Sequence, residues 1–287
     1  MPLILMLGLL ICCFNPVLHA EGPPPVQLRQ VQEGAHQKVL AVNRGRMPVL
    51  LTAELKTEDN LNSDVSWPIQ RVLPAASQQE IASFSAVDQR RPYRFTYQYG
   101  WTPGDPHSVP DGLAFYRLPF ENGKTFRVSQ APGGPLPTHK DAESANAIDI
   151  PMPVGSKVLA ARDGVVVDVE QGFGEGLLER SYINEANYVQ ILHDDGTWAL
   201  YAHLLRGSVA VQPGMRVVAG TVIASSGNSG YSSEPHLHFA VLRNLNGQVV
   251  SITPHFWTRL YKDFTVQHQS LVNADYGRPE VRTAALR

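Results

Sequence analysis

The segment "NYVQILHDDGTWALYAHL", residues 187–204, predicts a β-hairpin. Apolar and polar residues alternate on both sides of "DDG", residues 194–196. An Asp-Gly pair between two alternating runs is typical of a tight turn that joins antiparallel strands. We therefore expect His203 to lie at the end of the second strand of this hairpin.

Two neighbouring segments extend the same pattern. "KVLAARDGVVVDV", residues 157–169, predicts two short strands with a turn near Asp163 and Gly164. "VQPGMRVVAGTVIASSGNSG", residues 211–230, adds turns at Pro-Gly and Gly positions. Because no helical period of useful length appears, residues 129–255 are predicted to form one mainly β domain with an antiparallel sheet.

The N-terminal half contains two further alternating runs, "VLLTAELK" at residues 49–56 and "YRFTYQYGW" at residues 93–101. The residues that share a face are Val49, Leu51, Ala53 and Leu55 in the first run, and Tyr93, Phe95, Tyr97, Tyr99 and Trp101 in the second. Such an aromatic stripe can bind sugars, but it is more typical of a β-sandwich core. Residues 21–128 are therefore predicted to form a β-sandwich-like domain.

The stretch "APGGPLPTHKD", residues 131–141, predicts a linker or a loop that leads into the second domain. Residues 256–287 are expected to form a C-terminal extension. At the other end, "LILMLGLLICCF" is shorter than an ordinary membrane-spanning helix. Residues 1–20 are predicted to be a cleaved signal peptide, and the alternative is a short membrane anchor.

Composition excludes several classes of function. Both cysteines, Cys12 and Cys13, lie in the predicted signal peptide, so the mature chain has neither a disulfide framework nor a thiol catalyst. The formal net charge of −2, without a run of Lys or Arg, predicts no attraction to nucleic acid. We expect an exported protein with no stable membrane span once the signal peptide is removed.

The segment "EPHLHFAV", residues 234–241, places two histidines one residue apart. In a strand, His236 and His238 share one face, and Leu237 and Phe239 point to the other. Two imidazoles on one face suit a metal or proton-transfer site, although solvated strand histidines are the alternative. Asp149, within the apolar run "AIDIPM", is costly to bury unless it is paired or bound to a cation.

Four segments together resemble the M23 family of zinc metallopeptidases, the lysostaphin-like or LytM-type peptidoglycan endopeptidases. The first two are "AIDIPMPVGSKVLAARDGVV" at residues 147–166 and "YAHL" at 201–204. The other two lie within "PGMRVVAGTVIASSGNSGYSSEPHLHF" at 213–239, and they are its turn-rich part and its "HLH" motif. The resemblance covers roughly residues 135–255. It implies an antiparallel β-sheet that forms a groove, and a zinc ion with two His ligands and one Asp ligand.

The resemblance also implies roles for individual residues. Asp149 matches the ligand aspartate, and His238 matches the downstream ligand histidine. His203 and His236 match the two histidines that do not bind the metal. One of them would move a proton and the other would stabilise the developing oxyanion, in an order that the sequence does not decide. We take His139 as the first metal ligand.

The choice of His139 departs from the common family spacing, in which the first His stands four residues before the Asp. That position is Ala145 here, which cannot bind metal. The alternatives are its polar neighbours Asp141, Glu143 and Asn146. A neutral amide is a poor zinc ligand, and a second carboxylate would give a ligand set unlike the family's. His139 keeps the usual set, provided that residues 140–145 loop out and return.

The expected function is that of an exported zinc endopeptidase that hydrolyses peptide cross-links of peptidoglycan, with the peptide stems as substrate. We expect it in the periplasm or secreted from the cell, with diaminopimelate-type cross-links favoured by analogy. The N-terminal domain would be free to bind an envelope protein. One alternative is an M23-like domain without catalysis that regulates other wall hydrolases. A carrier domain of the lipoyl or biotin type is the other, but no lysine stands at an attachment turn.

Overall fold

The computed structural model describes residues 11–12, 24–134 and 139–277. Most of the predicted signal peptide, residues 1–20, lies outside the described part. The chain divides into two compact units, one of Met1–Ser108 and Asn244–Val249, the other of Val109–Arg243 and Val250–Arg287. No helix in the described ranges is long and apolar enough to cross a membrane.

The first unit contains two four-stranded sheets. One has the strand order β1-β8-β4-β6 and the other β2-β3-β7-β5. All pairings are antiparallel except that of the two-residue β1 with β8. The strands are β1 (Ile11–Cys12), β2 (Val26–Glu33), β3 (His36–Asn43), β4 (Val49–Asp59), β5 (Leu61–Ser63), β6 (Ile69–Leu73), β7 (Ser77–Ala86) and β8 (Arg94–Pro103).

The aromatic stripe of β8 lies in the core between these sheets, as predicted. The ring of Phe95 on β8 lies 4.4 Å from that of Phe84 on β7, between centroids. Phe84 is fully buried and also stacks on Trp67 at 5.8 Å. Because the two sheets share these apolar contacts, the predicted β-sandwich is confirmed, and a sugar-binding role is not available to the buried stripe.

The second unit is also almost entirely β, as predicted. Its strands are β9 (Phe115–Tyr116), β10 (Thr125–Arg127), β11 (Ile148–Pro151), β12 (Lys157–Leu159), β13 (Gly164–Glu170), β14 (Tyr188–Leu192), β15 (Trp198–Ala202), β16 (Arg216–Val217), β17 (Val222–Ser225), β18 (His236–Leu245), β19 (Gln248–Ile252), β20 (His255–Phe256) and β21 (Leu271–Asn273). The last two residues of β18 and the first two of β19 belong to the first unit. One 3-10 turn, Arg180–Tyr182, lies between β13 and β14.

The central sheet of this unit has the order β11-β18-β15-β14-β13-β16, with β19 also paired to β18. Strands β14 and β15 form the predicted hairpin around the "DDG" turn. On β18, Leu237 and Phe239 are fully buried, whereas His236 and His238 are half-buried. The period of two therefore sends apolar side chains into the core and both imidazoles to the opposite face.

The compact units do not divide where the sequence analysis placed the domain boundaries, at residues 128/129 and 255/256. Strand β9 pairs with β20, and β10 pairs with β21. These pairings join residues 115–127 and 255–273 within the second unit, because short strands need partners from distant segments to satisfy their backbone groups. As limits of functional domains, the expected boundaries stay a prediction.

Removal of an aromatic side chain from the core of the first unit tests the sandwich packing. We expect Phe84→Ala to lower the free energy of unfolding by about 3–5 kcal/mol, because it leaves a cavity between the sheets. Val87→Ala is the control, since Val87 is 70% exposed and should change stability by less than about 0.5 kcal/mol. Urea denaturation followed by circular dichroism measures both, and equal midpoints would contradict the packing.

Candidate metal centre

Asp149 and His238 are brought together by strand register. Strand β11 pairs antiparallel with β18, and Asp149 lies directly opposite His238. Directly opposed residues of neighbouring strands point to the same face of the sheet. His238 Nδ1 lies 2.9 Å from Asp149 Oδ1, and the carboxylate is 4% exposed. A buried carboxylate and an imidazole therefore meet at one edge of the sheet.

His139 completes a group of three. Its Nε2 lies 3.1 Å from Asp149 Oδ2. One ligand atom from each of His139, Asp149 and His238 lies within 4.8 Å of the other two. Among the described residues, these three side chains form the cluster of His, Cys, Asp or Glu that could hold a metal ion. Zinc takes His nitrogen and carboxylate oxygen at about 2.0–2.2 Å, so two nitrogens and one oxygen in this arrangement fit that ion.

The loop that carries His139 is held by specific contacts. Asp141 accepts hydrogen bonds from Ser144 through both the backbone nitrogen at 2.9 Å and the hydroxyl at 2.8 Å. Ser251 on β19 donates its backbone N–H to Ala142 O at 2.8 Å and accepts a 2.8 Å bond from the backbone nitrogen of Asn146. The excursion expected for residues 140–145 is thus a capped turn anchored on a neighbouring strand.

Two of the three alternatives for the first ligand, Asn146 and Asp141, have partners elsewhere. Asn146 Nδ2 donates to Ser251 O at 2.8 Å, and its Oδ1 accepts from Thr253 Oγ1 at 2.9 Å. Asp141 is occupied by the turn it caps. Within this loop, His139 is the residue whose side chain is seen in contact with Asp149.

The charge of Asp149 is stabilised in spite of its burial. Burial opposes ionisation, but hydrogen bonds from His139 and His238 hold the pKa of Asp149 well below its usual range. Gln130 Nε2 also donates to Asp149 Oδ2 at 2.7 Å. Burial likewise opposes protonation of His139, yet the neighbouring Asp149 carboxylate outweighs it and raises the pKa of His139. The site therefore presents an ionised carboxylate between nitrogen donors.

His203 and His236 lie beside this group. Their ring centroids are 4.5 Å apart, and His203 lies 5.9 Å from the ring of His238. His203 follows β15 directly and has a φ of 62°, which is unusual for a residue other than glycine. Its Nδ1 donates to Ser229 O at 2.7 Å, and His236 Nδ1 donates to Glu234 O at 2.8 Å. In the neutral form each ring then keeps Nε2 as an acceptor.

Burial, with the nearby His236 and His238, lowers the pKa of His203 to about 3. Without metal, His203 is therefore neutral near pH 7. The structure brings all five predicted site residues to one place. Their individual roles as ligands or proton carriers stay a prediction.

The remaining histidines of interest are structural or peripheral. His193 is buried, donates from Nδ1 to Asp163 O at 2.8 Å, and has its pKa lowered to about 4 by burial. His255 makes an exposed 2.7 Å hydrogen bond with Asp263. His268 donates to Ser129 O at 2.7 Å and lines a cavity of about 50 Å³ together with His139.

Sequence reasoning missed the residues that support the site, Gln130, Asn187, Ser229 and Ser251. Each acts through hydrogen bonds to residues distant in sequence. The local signal for them is "SSGNSG", residues 225–230, where the glycines predict turns.

Comparison with known proteins identifies the domain around this site. The model of "Peptidase family M23" matches residues 143–252. This chain carries an M23 peptidase domain. The match includes Asp149, His203, His236 and His238 but begins after His139. The family match therefore does not include His139, the residue that we expect to be the first metal ligand.

Several curated proteins are similar to the M23 domain. Peptidoglycan DD-endopeptidase ShyA of Vibrio cholerae is 31% identical over 129 residues, which are 45% of this chain and 27% of ShyA. Glycyl-glycine endopeptidase ALE-1 of Staphylococcus capitis is 35% identical over 39% of this chain and 28% of ALE-1. This chain thus spans less than a third of the length of either relative. Among solved structures, lysostaphin from Staphylococcus simulans matches with 28% identity and a TM-score of 0.32, over 42% of this chain and 43% of lysostaphin.

Metal binding by the His139→Ala variant tests the assignment of the first ligand. We expect it to lose most of its bound zinc, because two remaining ligands hold the ion poorly. His268→Ala is the matched control, since His268 lines the same cavity but does not contact Asp149. Zinc per chain is measured by plasma mass spectrometry after dialysis against a weak chelator. Equal zinc in both variants would show that His139 is not a ligand.

Proposed function

We propose that this protein is an exported zinc endopeptidase that hydrolyses peptide cross-links of peptidoglycan. One observation carries the proposal: His139, Asp149 and His238 converge within the M23 domain, with His203 and His236 beside them. Three protein ligands leave a further zinc position for water or substrate, which is typical of a catalytic site and not of a structural one.

Zinc fits the donor set of two imidazoles and one carboxylate. When bound, it supplies Lewis-acid polarisation of a peptide carbonyl and lowers the pKa of water to about 7. Asp149 is kept ionised by its neighbours, and Gln130 fixes one of its oxygens. Hydrogen bonds from outside the ligand set orient such ligands and strengthen metal binding.

His203 and His236 provide the proton chemistry. Both donate from Nδ1 to a backbone carbonyl, so Nε2 of each neutral ring is available to accept a proton. One ring takes a proton from the attacking water and returns it to the leaving amine. The other ring enters the reaction already protonated, donates from Nε2 to the negative charge that develops on the carbonyl oxygen, and keeps its proton throughout. Both rings are held through Nδ1 by a backbone carbonyl, and the division of labour between them stays open.

We further propose peptide stems joined by DD-cross-links as the substrate and the periplasm or cell exterior as the place of action. The names of relatives support this, because ShyA is a peptidoglycan DD-endopeptidase. ALE-1 is a glycyl-glycine endopeptidase, so glycine bridges are the alternative bond. The N-terminal sandwich is proposed as a surface for an envelope partner.

Digestion of purified cross-linked peptidoglycan tests the function. We expect the zinc-loaded protein to release uncross-linked muropeptides, identified by mass spectrometry, and chelation to abolish the release until zinc is restored. His203→Ala and His236→Ala should keep zinc and lose about a hundredfold to ten-thousandfold in rate. His107→Ala is the control, because its side chain is 80% exposed.

The outcome separates catalysis from regulation. If the zinc-loaded protein releases no product from DD-cross-linked or glycine-bridged peptidoglycan, it is not an endopeptidase and the regulator hypothesis replaces the proposal. If either histidine variant keeps the rate of the His107→Ala control, the catalytic role of that histidine is wrong.

A further inference from the structure

Asn187 is a fully buried amide that the chemistry described above does not use. It lies directly before β14 and is 0% exposed. Its Nδ2 donates to Phe173 O at 2.9 Å and to Leu204 O at 3.0 Å, and its Oδ1 accepts from Phe173 N at 2.9 Å. A buried amide with this many backbone partners fixes the position of the segments it joins.

Asn187 makes two hydrogen bonds to Leu204, the residue that follows His203. Leu204 N donates to Asn187 O at 3.1 Å, and Leu204 O accepts from Asn187 Nδ2 at 3.0 Å. Both polar backbone groups of Leu204 are therefore bound by one residue. The bond from Leu204 N to the backbone oxygen of Asn187 fixes the peptide plane that follows His203, and the bond from Asn187 Nδ2 to Leu204 O fixes the next plane.

Ser229 connects Asn187 to the imidazole itself. Asn187 N donates to Ser229 Oγ at 3.0 Å, and Ser229 Oγ donates to Leu204 O at 2.9 Å. The carbonyl of Ser229 accepts the 2.7 Å hydrogen bond from His203 Nδ1. Asn187 thus reaches His203 by two routes. Its side chain acts through Leu204, the next residue along the chain. Its backbone nitrogen acts through Ser229, whose carbonyl accepts from the ring, and Asn187→Ala keeps this second contact.

His203 needs such support because its backbone is strained. A φ of 62° is unfavourable for a residue with a Cβ and persists where neighbouring contacts enforce it. Besides Asn187 and Ser229, the backbone of Gly227 donates to His203 O at 3.0 Å. A relaxed His203 would move its ring away from Ser229 and from His236.

We propose that Asn187 is a positioning residue for His203, which holds both its strained backbone and the ring tautomer that leaves Nε2 as an acceptor. The proposal rests on the catalytic role of His203 in the proposed function. Asn187 itself contacts none of the metal ligands in the hydrogen bonds described. Its loss should therefore lower kcat and leave zinc content and KM nearly unchanged.

The chain contains a matched control. Asn244 in the first unit is also 0% exposed, donates from Nδ2 to Pro103 O at 2.9 Å and Gly104 O at 3.1 Å, and accepts from Gly247 N at 2.8 Å. Its side chain makes the same three kinds of bond as that of Asn187. Asn244→Ala reproduces the loss of a buried amide without touching His203.

The experiment compares Asn187→Ala, Ser229→Ala and Asn244→Ala in the full zinc-loaded protein. A displacement of about 1 Å in a catalytic group costs on the order of a hundredfold in rate. We expect a kcat about a hundred times lower for Asn187→Ala, a smaller loss for Ser229→Ala, and kcat close to that of the unmodified protein for Asn244→Ala. Zinc per chain and KM should stay within about twofold of the unmodified values in all three, because neither ligands nor groove change.

A spectroscopic readout is independent of catalysis. In proteins with nitrogen-15 labelled histidine, the Nδ1 proton of His203 should be visible, because the Ser229 carbonyl protects it from exchange with water. We expect this resonance to disappear in Asn187→Ala and to persist in Asn244→Ala. If Asn187→Ala does not fold, Ser229→Ala replaces it in the test, because it removes the hydroxyl but keeps the carbonyl that accepts from His203. Its kcat and its His203 Nδ1 resonance are then compared with those of Asn244→Ala.

The outcomes distinguish this inference from the proposed function. An unmodified protein without peptidase activity, but with a His203 resonance that Asn187→Ala abolishes, overturns the proposed function and upholds the positioning role. An active protein in which Asn187→Ala and Asn244→Ala have equal kcat and equal His203 resonances overturns the positioning role alone.

Discussion

The antiparallel register between β11 and β18 is the constraint on which the site depends. It sets Asp149 opposite His238, so that a carboxylate with 4% exposure meets an imidazole at 2.9 Å. A charged group buried to this degree is unstable without partners. A shift of one residue in this pairing would turn Asp149 toward the apolar face, and the metal site would be lost.

One face of this sheet packs into the core, and the opposite face carries the imidazoles of the candidate site. Leu237 and Phe239 of β18 pack into the core, and the alternate residues of that strand carry the imidazoles. Strand β15 pairs with β18 so that Ala202 lies opposite His238, which delivers His203 at the next position. Catalytic groups that project from packed strands hold their geometry better than groups on loops. His139 is the exception, and contacts with Ser251 compensate for its place on a loop.

Much of this could be predicted from sequence because the signals were local. Alternation located β8, β14, β15 and β18, and the buried carboxylate pointed to a cation or a pair. The pairings of β9 with β20 and of β10 with β21 could not be predicted, since they join strands more than a hundred residues apart. The supporting contacts of Asn187 and Ser251 could not be predicted either, because an ordinary Asn or Ser carries no sign of the distant backbone it will bind.

The candidate ligand that sequence supports least is His139, because the position that usually carries the first ligand in the family is Ala145. A crystal structure of the zinc-loaded protein, with anomalous data on both sides of the zinc absorption edge, tests this most directly. The geometry predicts one zinc peak about 2 Å from a nitrogen of His139, an oxygen of Asp149 and a nitrogen of His238. A zinc ion bound to Asp149 and His238 without His139, or with Glu143 in its place, would contradict it.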